Sequence, residues 1–231
     1  MKGLTLAADG FTWSGSWEGF GAMYVEEGNK GVYLGICITA FVLLFALIAF
    51  LSFSKKDKKT SAIEISIAAV CIALSSVLSV IRLWRGPEGG SVTPGSMVPI
   101  AIFAYIFGLR KGILVCFTYG VLQVLLGGYI INPVQMLLDY PIPYAMIGLV
   151  GLASKSKKPI VGILTFFPVA IVARYIVHVL SGVIFFGGDW GYSFVYNTVV
   201  LVDGIIAIVI TALLFANKNF AFTVKKYVGE C

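Results

Sequence analysis

Residues 174–197 read RYIVHVLSGVIFFGGDWGYSFVYN, and the class of fold follows from this stretch. An apolar run holds the chain's only histidine, His178, and then gives way to an aromatic and glycine-rich loop before the next apolar run begins. Placing an ionisable residue inside a membrane helix is costly, so such a residue is a candidate for function. The alternative is a histidine satisfied by a backbone carbonyl of a neighbouring helix.

The composition predicts a polytopic helical membrane protein. The 231 residues are 59% hydrophobic and 12% charged, and the mean hydropathy is +0.96, far from a soluble domain. The net charge of +6 is concentrated in loops at 55–59, 110–111 and 155–158 and in the tail. Basic loops mark the cytoplasmic side, an interpretation we favour over a nucleic-acid patch. The four cysteines show no CxxC spacing, so neither a metal site nor a disulfide framework is predicted.

Seven apolar runs are candidates for membrane helices, since about 20 apolar residues span a bilayer. They are residues 31–53, 61–84, 97–109, 112–131, 134–153, 159–185 and 195–216. The predicted fold is an all-α integral membrane bundle of six helices, preceded by one extra N-terminal transmembrane helix. The predicted parts are an extracellular lead-in (1–30), the extra helix with its basic loop (31–60), the six-helix core (61–216) and a cytoplasmic tail (217–231). The N-terminus is then outside and the C-terminus cytoplasmic.

A stripe of small residues runs along the first core helix, at Ala62, Ser66, Ala69, Ala73 and Ser76. Small residues at this spacing allow another helix to approach closely in a membrane. The spacing fits a contact with a partner protein and internal packing equally well.

The later run at 134–153 contains two nearby prolines, which we expect to bend or loosen that helix.

The predicted topology brings several polar and aromatic side chains to the outer leaflet, namely Trp84, Asp139, His178, Tyr192 and Asn197, with Arg174 nearby. A carboxylate beside aromatic faces suits a flat, positively charged ligand, through charge pairing and cation–π attraction. A carboxylate at this depth needs a partner. For Asp139 that partner is either the ligand or Arg174.

The same residues could in principle belong to two other functional classes. Asp139, His178 and Ser181 do not form a convincing catalytic triad, because Ser181 lies on no elbow motif and has no evident oxyanion donors. We therefore predict that the chain is not an enzyme, and without a Walker motif it does not hydrolyse ATP itself. A proton relay through Asp139, Arg174 and His178 would indicate a self-sufficient proton-coupled transporter of a small cationic or aromatic solute. Against this, the inner helix halves carry few ionisable residues, and no internal repeat is evident.

Four motifs resemble those of one family, the thiamine-specific substrate-binding subunit, or S component, of energy-coupling factor transporters. They are GSMVPIAIFAYIFGLRKG (95–112), NPVQMLLDYP (132–141), RYIVHVLSGVIFF (174–186) and YSFVYN (192–197). The resemblance covers residues 61 to about 216 and leaves residues 1–60 without a counterpart. It implies capture of thiamine at the outer face, and uptake together with a membrane coupling protein and two cytoplasmic ATPase subunits.

The resemblance also implies the residues of the thiamine site. Asp139 stands at the family's acidic position, where glutamate is usual, and Tyr140 follows it. His178 matches the histidine that faces the thiazolium ring, while Tyr192 and Asn197 match the polar pair near the aminopyrimidine.

Three further positions carry the aromatic part of the implied site. Phe186 stands where the family has a stacking tryptophan, and Trp190 is the candidate to replace it. Trp84 corresponds to the tryptophan of the first core loop. The stripe around Ala69 and Ala73 is similar to the motif through which S components contact the coupling protein. No cofactor is implied.

Overall fold

The computed structural model describes residues 5–7, 10–12, 61–86, 89–186 and 189–230. The predicted extra membrane helix, residues 31–53, and most of the predicted lead-in lie outside the described residues. Within the lead-in, two short strands, β1 (Thr5–Ala7) and β2 (Gly10–Thr12), pair antiparallel.

The described core is helical. In chain order its elements are α1 (Ala62–Val80), β3 (Trp84–Arg85), β4 (Ser91–Val92), α2 (Val98–Leu125), α3 (Pro133–Asp139), α4 (Pro141–Ile147), a 3₁₀ helix (Gly148–Lys155), α5 (Pro159–Phe185), α6 (Trp190–Tyr196), α7 (Thr198–Ala216) and α8 (Lys218–Glu230). Five stretches of the described chain are long and apolar enough to cross a membrane: 62–80, 98–125, 133–155, 159–185 and 190–216. The prediction of a multi-pass, all-helical membrane protein is confirmed.

Helix α2 folds back on itself at Gly108. Gly108 has φ +82° and ψ 178°, a conformation that essentially only glycine adopts. The Sγ atom of Cys116 lies 3.8 Å from the carbonyl oxygen of Ile100, and a Cβ atom on Gly112 would lie 2.6 Å from that of Ala104. The two arms therefore run antiparallel, as expected from the separate runs at 97–109 and 112–131, and the core has six apolar segments.

The segment before α2 dips into the bundle. Thr93 is 4% exposed, and Ser96 and Met97 are fully buried. The first arm of α2, residues 98–107, is about 15 Å long at 1.5 Å per residue, roughly half the 30 Å of a bilayer core. The buried segment thus supplies part of this crossing, and it carries polar groups into the interior.

The fourth core segment is interrupted, as its prolines predicted. Asn132 caps α3 by accepting hydrogen bonds from the backbone N–H groups of Val134 and Gln135. The helix ends at Asp139, and Tyr140 has non-helical dihedral angles (φ −123°, ψ −79°) immediately before Pro141. What the sequence predicted as one helix over 134–153 is therefore three short pieces, with Asp139 at the first break.

Helix α1 packs with one face and leaves the other exposed. Its N-terminal end is tied to α2 by an ion pair in which Lys111 Nζ lies 2.6 Å from the Oε2 atom of the buried Glu64. Cys71 packs against the core, whereas Ala69 and Ala73 are exposed. The small-residue stripe is thus on the surface of the described chain.

The C-terminal tail is a helix, which the sequence analysis did not predict. Asn217 caps α8 by accepting from the N–H groups of Asn219 and Phe220. Val224 is 6% exposed, and the ring of Phe220 packs edge-on against Phe215 at 5.4 Å. One face of α8 therefore closes the end of the bundle.

Candidate ligand-binding site

A cavity that is partly open to solvent lies among the ends of α1, α3, α5 and α7 and beneath the β3–β4 hairpin. Its lining is rich in hydrogen-bonding and aromatic groups and poor in aliphatic ones. The lining residues are Ser79, Arg82, Gly89, Gly90, Ser91, Thr93, Gln123, Gly127, Asp139, Tyr140, Tyr144, Arg174, His178, Gly182, Phe186, Tyr196, Asn197, Val199, Val200 and Asp203.

Asp139 and His178 are in polar contact with each other in the cavity lining. The Asp139 Oδ1 atom lies 3.5 Å from His178 Nδ1, and Asp139 Oδ2 accepts a short hydrogen bond from the amide of Gln135. The helix break at Tyr140 places the carboxylate, and the last third of α5 places the imidazole. Both side chains are about 15% exposed (16% and 14%), so they are accessible to a small ligand.

Arg174 pairs with Asp203, not with Asp139. Arg174 Nη1 lies 3.6 Å from Asp203 Oδ2, and both side chains are buried. Its guanidinium also lies over the ring of Tyr144, 4.4 Å from the ring centroid, and its Nε atom is 3.4 Å from His178 Nε2. Of the two partners left open for Asp139, the internal salt bridge to Arg174 is therefore not formed.

Asp203 on α7 forms hydrogen bonds with Thr93 in the buried segment before α2. The backbone N–H and the hydroxyl of Thr93 both donate to Asp203 Oδ1 at 2.8 Å. A carboxylate that is 2% exposed needs such partners, since a buried charge without them is strongly unfavourable. Together with Arg174, Thr93 gives it two donors and a counter-ion, and the loop is fixed over the cavity.

Asn197 is positioned where α5 and α6 approach closely. Its Nδ2 group donates to the carbonyl oxygen of Ser193 at 2.9 Å and to that of His178 at 3.4 Å. The approach depends on Gly182, because a Cβ atom there would lie 2.2 Å from Ser193 Oγ. Among the described residues no group donates to the Asn197 Oδ1 atom, so this atom can accept a hydrogen bond beside the cavity.

Tyrosines and a phenylalanine surround the mouth of the cavity. Tyr196 accepts a hydrogen bond from the Gly90 N–H at 3.1 Å and so holds the β3–β4 hairpin. Tyr140 accepts from the Tyr129 N–H at 2.6 Å. The rings of Tyr129 and Phe186 lie 6.1 Å apart. These contacts give the mouth flat apolar faces with few bulky aliphatic groups.

The structure brings together five of the eight residues assigned to the site from sequence: Asp139, Tyr140, His178, Phe186 and Asn197. The other three lie outside the lining. Tyr192 is stacked on Tyr196 at 5.8 Å, Trp190 packs against Phe194 at 6.0 Å, and Trp84 is 46% exposed on β3. Tyr192 therefore supports a lining residue, and contact of these three with a ligand stays a prediction.

Sequence reasoning missed several lining residues, chiefly Arg82, Thr93, Gln123, Tyr196 and Asp203. Asp203 could have been found, because it is a carboxylate inside the apolar run 195–216, the same signal that selected Asp139. Arg82 lies near the end of the predicted run 61–84, where a basic side chain can reach the membrane surface and does not by itself indicate a site. Thr93 lies in a loop whose path into the bundle cannot be read from its composition.

The chemistry of the cavity suits a small organic cation with hydrogen-bonding groups. It offers an accessible carboxylate, an imidazole, an amide and aromatic faces among partly buried side chains, where charge pairing is stronger than in bulk water. Among the described residues, no group of three or more His, Cys, Asp or Glu side chains could hold a metal ion.

Comparisons with known proteins agree with this chemistry. The model of the thiamine transporter protein family matches residues 62–223. The thiamine transporter ThiT of Bacillus subtilis is 33% identical over 172 residues, covering 66% of this chain and 88% of its own length. ThiT of Lacticaseibacillus paracasei is 28% identical over 191 residues, covering 68% and 92%.

A solved structure shares the fold. ThiT from Listeria monocytogenes superposes with a TM-score of 0.58 at 23% identity, covering 72% of this chain and 97% of that one. The extra N-terminal residues of this chain lie outside the matched family region. The matched family is one of transporters, not enzymes, and its model spans the six-segment core together with the cavity. The chain belongs to the thiamine transporter protein family, which confirms the resemblance drawn from its motifs.

Proposed function

We propose that this chain captures thiamine in the cavity between Asp139 and Asn197 and presents it for uptake across the membrane. The observation that carries the proposal is the accessible Asp139–His178 pair in a cavity lined by aromatic and amide groups. The relatives named above as thiamine transporters support the choice of ligand.

Thiamine fits this lining group by group. Its thiazolium ring carries a fixed positive charge, which the partly buried carboxylate of Asp139 attracts. Its aminopyrimidine ring has donors and acceptors that match the amide of Asn197. Both rings are flat and can lie against Phe186 and Tyr196. In this arrangement Asp139 exchanges a weak contact with His178 for a charge-assisted one with the ligand.

The proposed orientation puts the cavity on the outer face. The basic loops at 110–111 and 155–158 lie at the other ends of the helices that line it, and basic loops favour the cytoplasm. The cavity would then collect thiamine from outside.

We further propose that uptake requires partner subunits. No Walker motif is present in the sequence, so ATP must be hydrolysed by other chains. The partners implied by the resemblance are a membrane coupling protein and two cytoplasmic ATPases. The exposed stripe at Ala69 and Ala73 on α1 is the proposed contact with the coupling protein, because small side chains let a partner helix approach closely.

The test is calorimetric titration of the purified chain with thiamine, comparing Asp139→Asn with Asp189→Asn as a matched control. Asp189 caps α6 and lies outside the cavity lining. Loss of a charge-assisted hydrogen bond, worth about 1.5–3 kcal/mol, should weaken binding by about tenfold or more in Asp139→Asn. Asp139→Glu keeps the charge and should be far milder, and the control should be unchanged.

Thermal unfolding of the same variants separates binding from folding. Asp139→Asn should bind thiamine more weakly while unfolding close to the wild-type temperature, because the carboxylate is not part of the buried Arg174–Asp203 pair. Unchanged affinity in Asp139→Asn would end the assignment of this carboxylate to the ligand. No binding by the wild-type chain would end the proposed function.

A further inference from the structure

The outer face of α8 carries an exposed aromatic ring between lysines. Phe222 is 75% exposed and lies about half a turn around the helix from Val224, which is buried against the bundle. Residues three and four positions apart share a helix face, and at these positions from Phe222 stand Lys218, Lys225 and Lys226, all of them exposed. One face of α8 therefore packs on the protein, and the opposite face presents a ring and three positive charges.

Helix α8 begins where a membrane-spanning helix ends. Asn217 closes α7 and also caps α8, so no linker separates the two helices. The Phe220 ring packs edge-on against Phe215 in the last turn of α7, and Val224 joins Phe215 in the same apolar cluster. The helix also contacts α2. It thus folds back onto the bundle and lies at the level where α7 leaves the membrane, which is the level of the lipid headgroups.

The exposure of Phe222 fits contact with lipid. Other apolar side chains of comparable exposure, such as Leu125 and Leu213 at 68% each, lie on helices long and apolar enough to span the membrane, where lipid covers them. A phenylalanine left in water forgoes the gain of burial. At headgroup depth its ring can insert toward the acyl chains, while the flanking lysines extend along their stems to the phosphates.

The charge of α8 selects the kind of lipid. From Lys218 to Val228 the helix has three lysines and no acidic residue. Lysines close to a membrane surface attract anionic headgroups, each raising the affinity by about fivefold. An acidic protein could match these charges too, but the depth of α8 favours the lipid surface that already surrounds the end of α7.

We propose that the outer face of α8 binds the anionic surface of the bilayer, with the Phe222 ring among the lipid chains and the three lysines of this face against headgroup phosphates. This surface is separate from the cavity. The cavity is lined by the start of α7, from Val199 to Asp203, whereas α8 follows the other end of that helix. Lipid bound here holds the last helix of the chain at the membrane and does not depend on thiamine.

The first experiment measures the affinity of the full-length chain in detergent for two lipids, phosphatidylglycerol, which is anionic, and phosphatidylcholine, which has no net charge. Native mass spectrometry resolves each bound lipid. The charge variant combines Lys218→Gln, Lys225→Gln and Lys226→Gln. We expect the wild-type chain to prefer phosphatidylglycerol by about fivefold or more, and the charge variant to lose about tenfold or more of that affinity while its affinity for phosphatidylcholine changes by less than about threefold.

The matched control combines Lys155→Gln, Lys157→Gln and Lys158→Gln. It removes the same charge from exposed positions in a loop that is predicted to lie on the same side of the membrane, and it should lose less than about threefold of the affinity for phosphatidylglycerol. Equal losses in the two triple variants would mean a diffuse attraction to basic residues and would overturn the proposal. An unchanged affinity in the charge variant would overturn it as well.

A second variant tests the ring. Phe222→Ser keeps all three lysines, so it should weaken binding of both lipids by about threefold or more without removing the preference for the anionic one. Its unfolding temperature and its thiamine affinity should match the wild type, because this side chain is exposed and far along the chain from the cavity lining. Unchanged binding of both lipids would remove Phe222 from the proposed contact.

A third measurement places the face in the bilayer or in water. The chain, with its native cysteines replaced by serine, carries a spin label at Asn219→Cys, an exposed position three residues before Phe222, and is reconstituted in vesicles of phosphatidylcholine and phosphatidylglycerol. The label should relax more with oxygen, which concentrates in the bilayer, than with a water-soluble nickel chelate, and a control label at Lys157→Cys should show the reverse. Equal access of the chelate to both labels would leave this face in water, free for a soluble acidic partner, and would refute the lipid contact.

Discussion

Replacing Asp203 by asparagine removes the counter-ion of Arg174 without changing the size of the side chain. Asp203 is 2% exposed and Arg174 is 7% exposed, so the guanidinium would be left as a buried charge facing a neutral amide. Breaking a buried ion pair from one side costs about 3–5 kcal/mol. The asparagine Oδ1 atom can still accept from Thr93, which keeps the expected loss near the lower end, at about 3 kcal/mol.

The loss should appear as a lower unfolding temperature. For a chain of this size, each kcal/mol shifts the midpoint by about 2–4 °C, so Asp203→Asn should unfold about 6–12 °C below the wild type. The assay is thermal unfolding of the purified chain in one detergent. Asp189→Asn is the control, because this carboxylate caps an exposed helix end, and it should shift the midpoint by much less.

A double variant tests the pairing itself. If Asp203 acts through Arg174, adding Arg174→Gln to Asp203→Asn should cost less than the sum of the two single changes, since the stranded charge is removed. A shift of less than about 2 °C for Asp203→Asn would refute the reasoning. So would strict additivity of the two changes, because it would mean that the two side chains act independently.

Three further outcomes are expected. Gly182→Ala should lower the unfolding temperature by the equivalent of about 1–3 kcal/mol, because its Cβ atom would lie 2.2 Å from Ser193 Oγ. The control Gly191→Ala should not lower it, since the nearest contact of that Cβ atom would be at 3.6 Å. Equal unfolding temperatures for the two variants would contradict the close packing at Gly182. Deleting residues 1–54 should leave thiamine affinity within about tenfold, since every lining residue in the described part of the chain lies beyond them, and loss of binding by a folded truncation would place part of the site in the lead-in. In a variant whose native cysteines are serine, Gly191→Cys should react with an impermeant thiol reagent in intact cells and Ser156→Cys only after permeabilisation; the reverse pattern would invert the topology.

The sequence predicted the segments of the fold well because membrane helices are set by long apolar runs. It also predicted the interruption near Tyr140, where the prolines remove backbone donors. It did not predict α8, because a short amphipathic helix at the end of a bundle depends on packing, here of Val224 and Phe220, and not on hydrophobicity alone.

The sequence predicted those site residues that lie in recognisable local motifs. Asp139, His178 and Asn197 carry recognisable local sequence, and they meet in the cavity. Thr93 reaches it because the segment before α2 dips into the bundle, and Arg82 because α1 ends two residues before it at the cavity. Both are tertiary features that no local pattern encodes. The pairing of Arg174 with Asp203 was likewise missed, since spacing along a chain does not say which of two carboxylates a guanidinium will reach.

The most direct measurement is an experimental structure of the chain crystallised with thiamine. Thiamine should occupy the cavity with its thiazolium ring beside the carboxylate of Asp139 and its aminopyrimidine within hydrogen-bond distance of Asn197. The ligand should also lie against the ring of Phe186 or Tyr196. Thiamine bound at another surface, or a cavity left empty at saturating thiamine, would contradict the assignment of this cavity to thiamine.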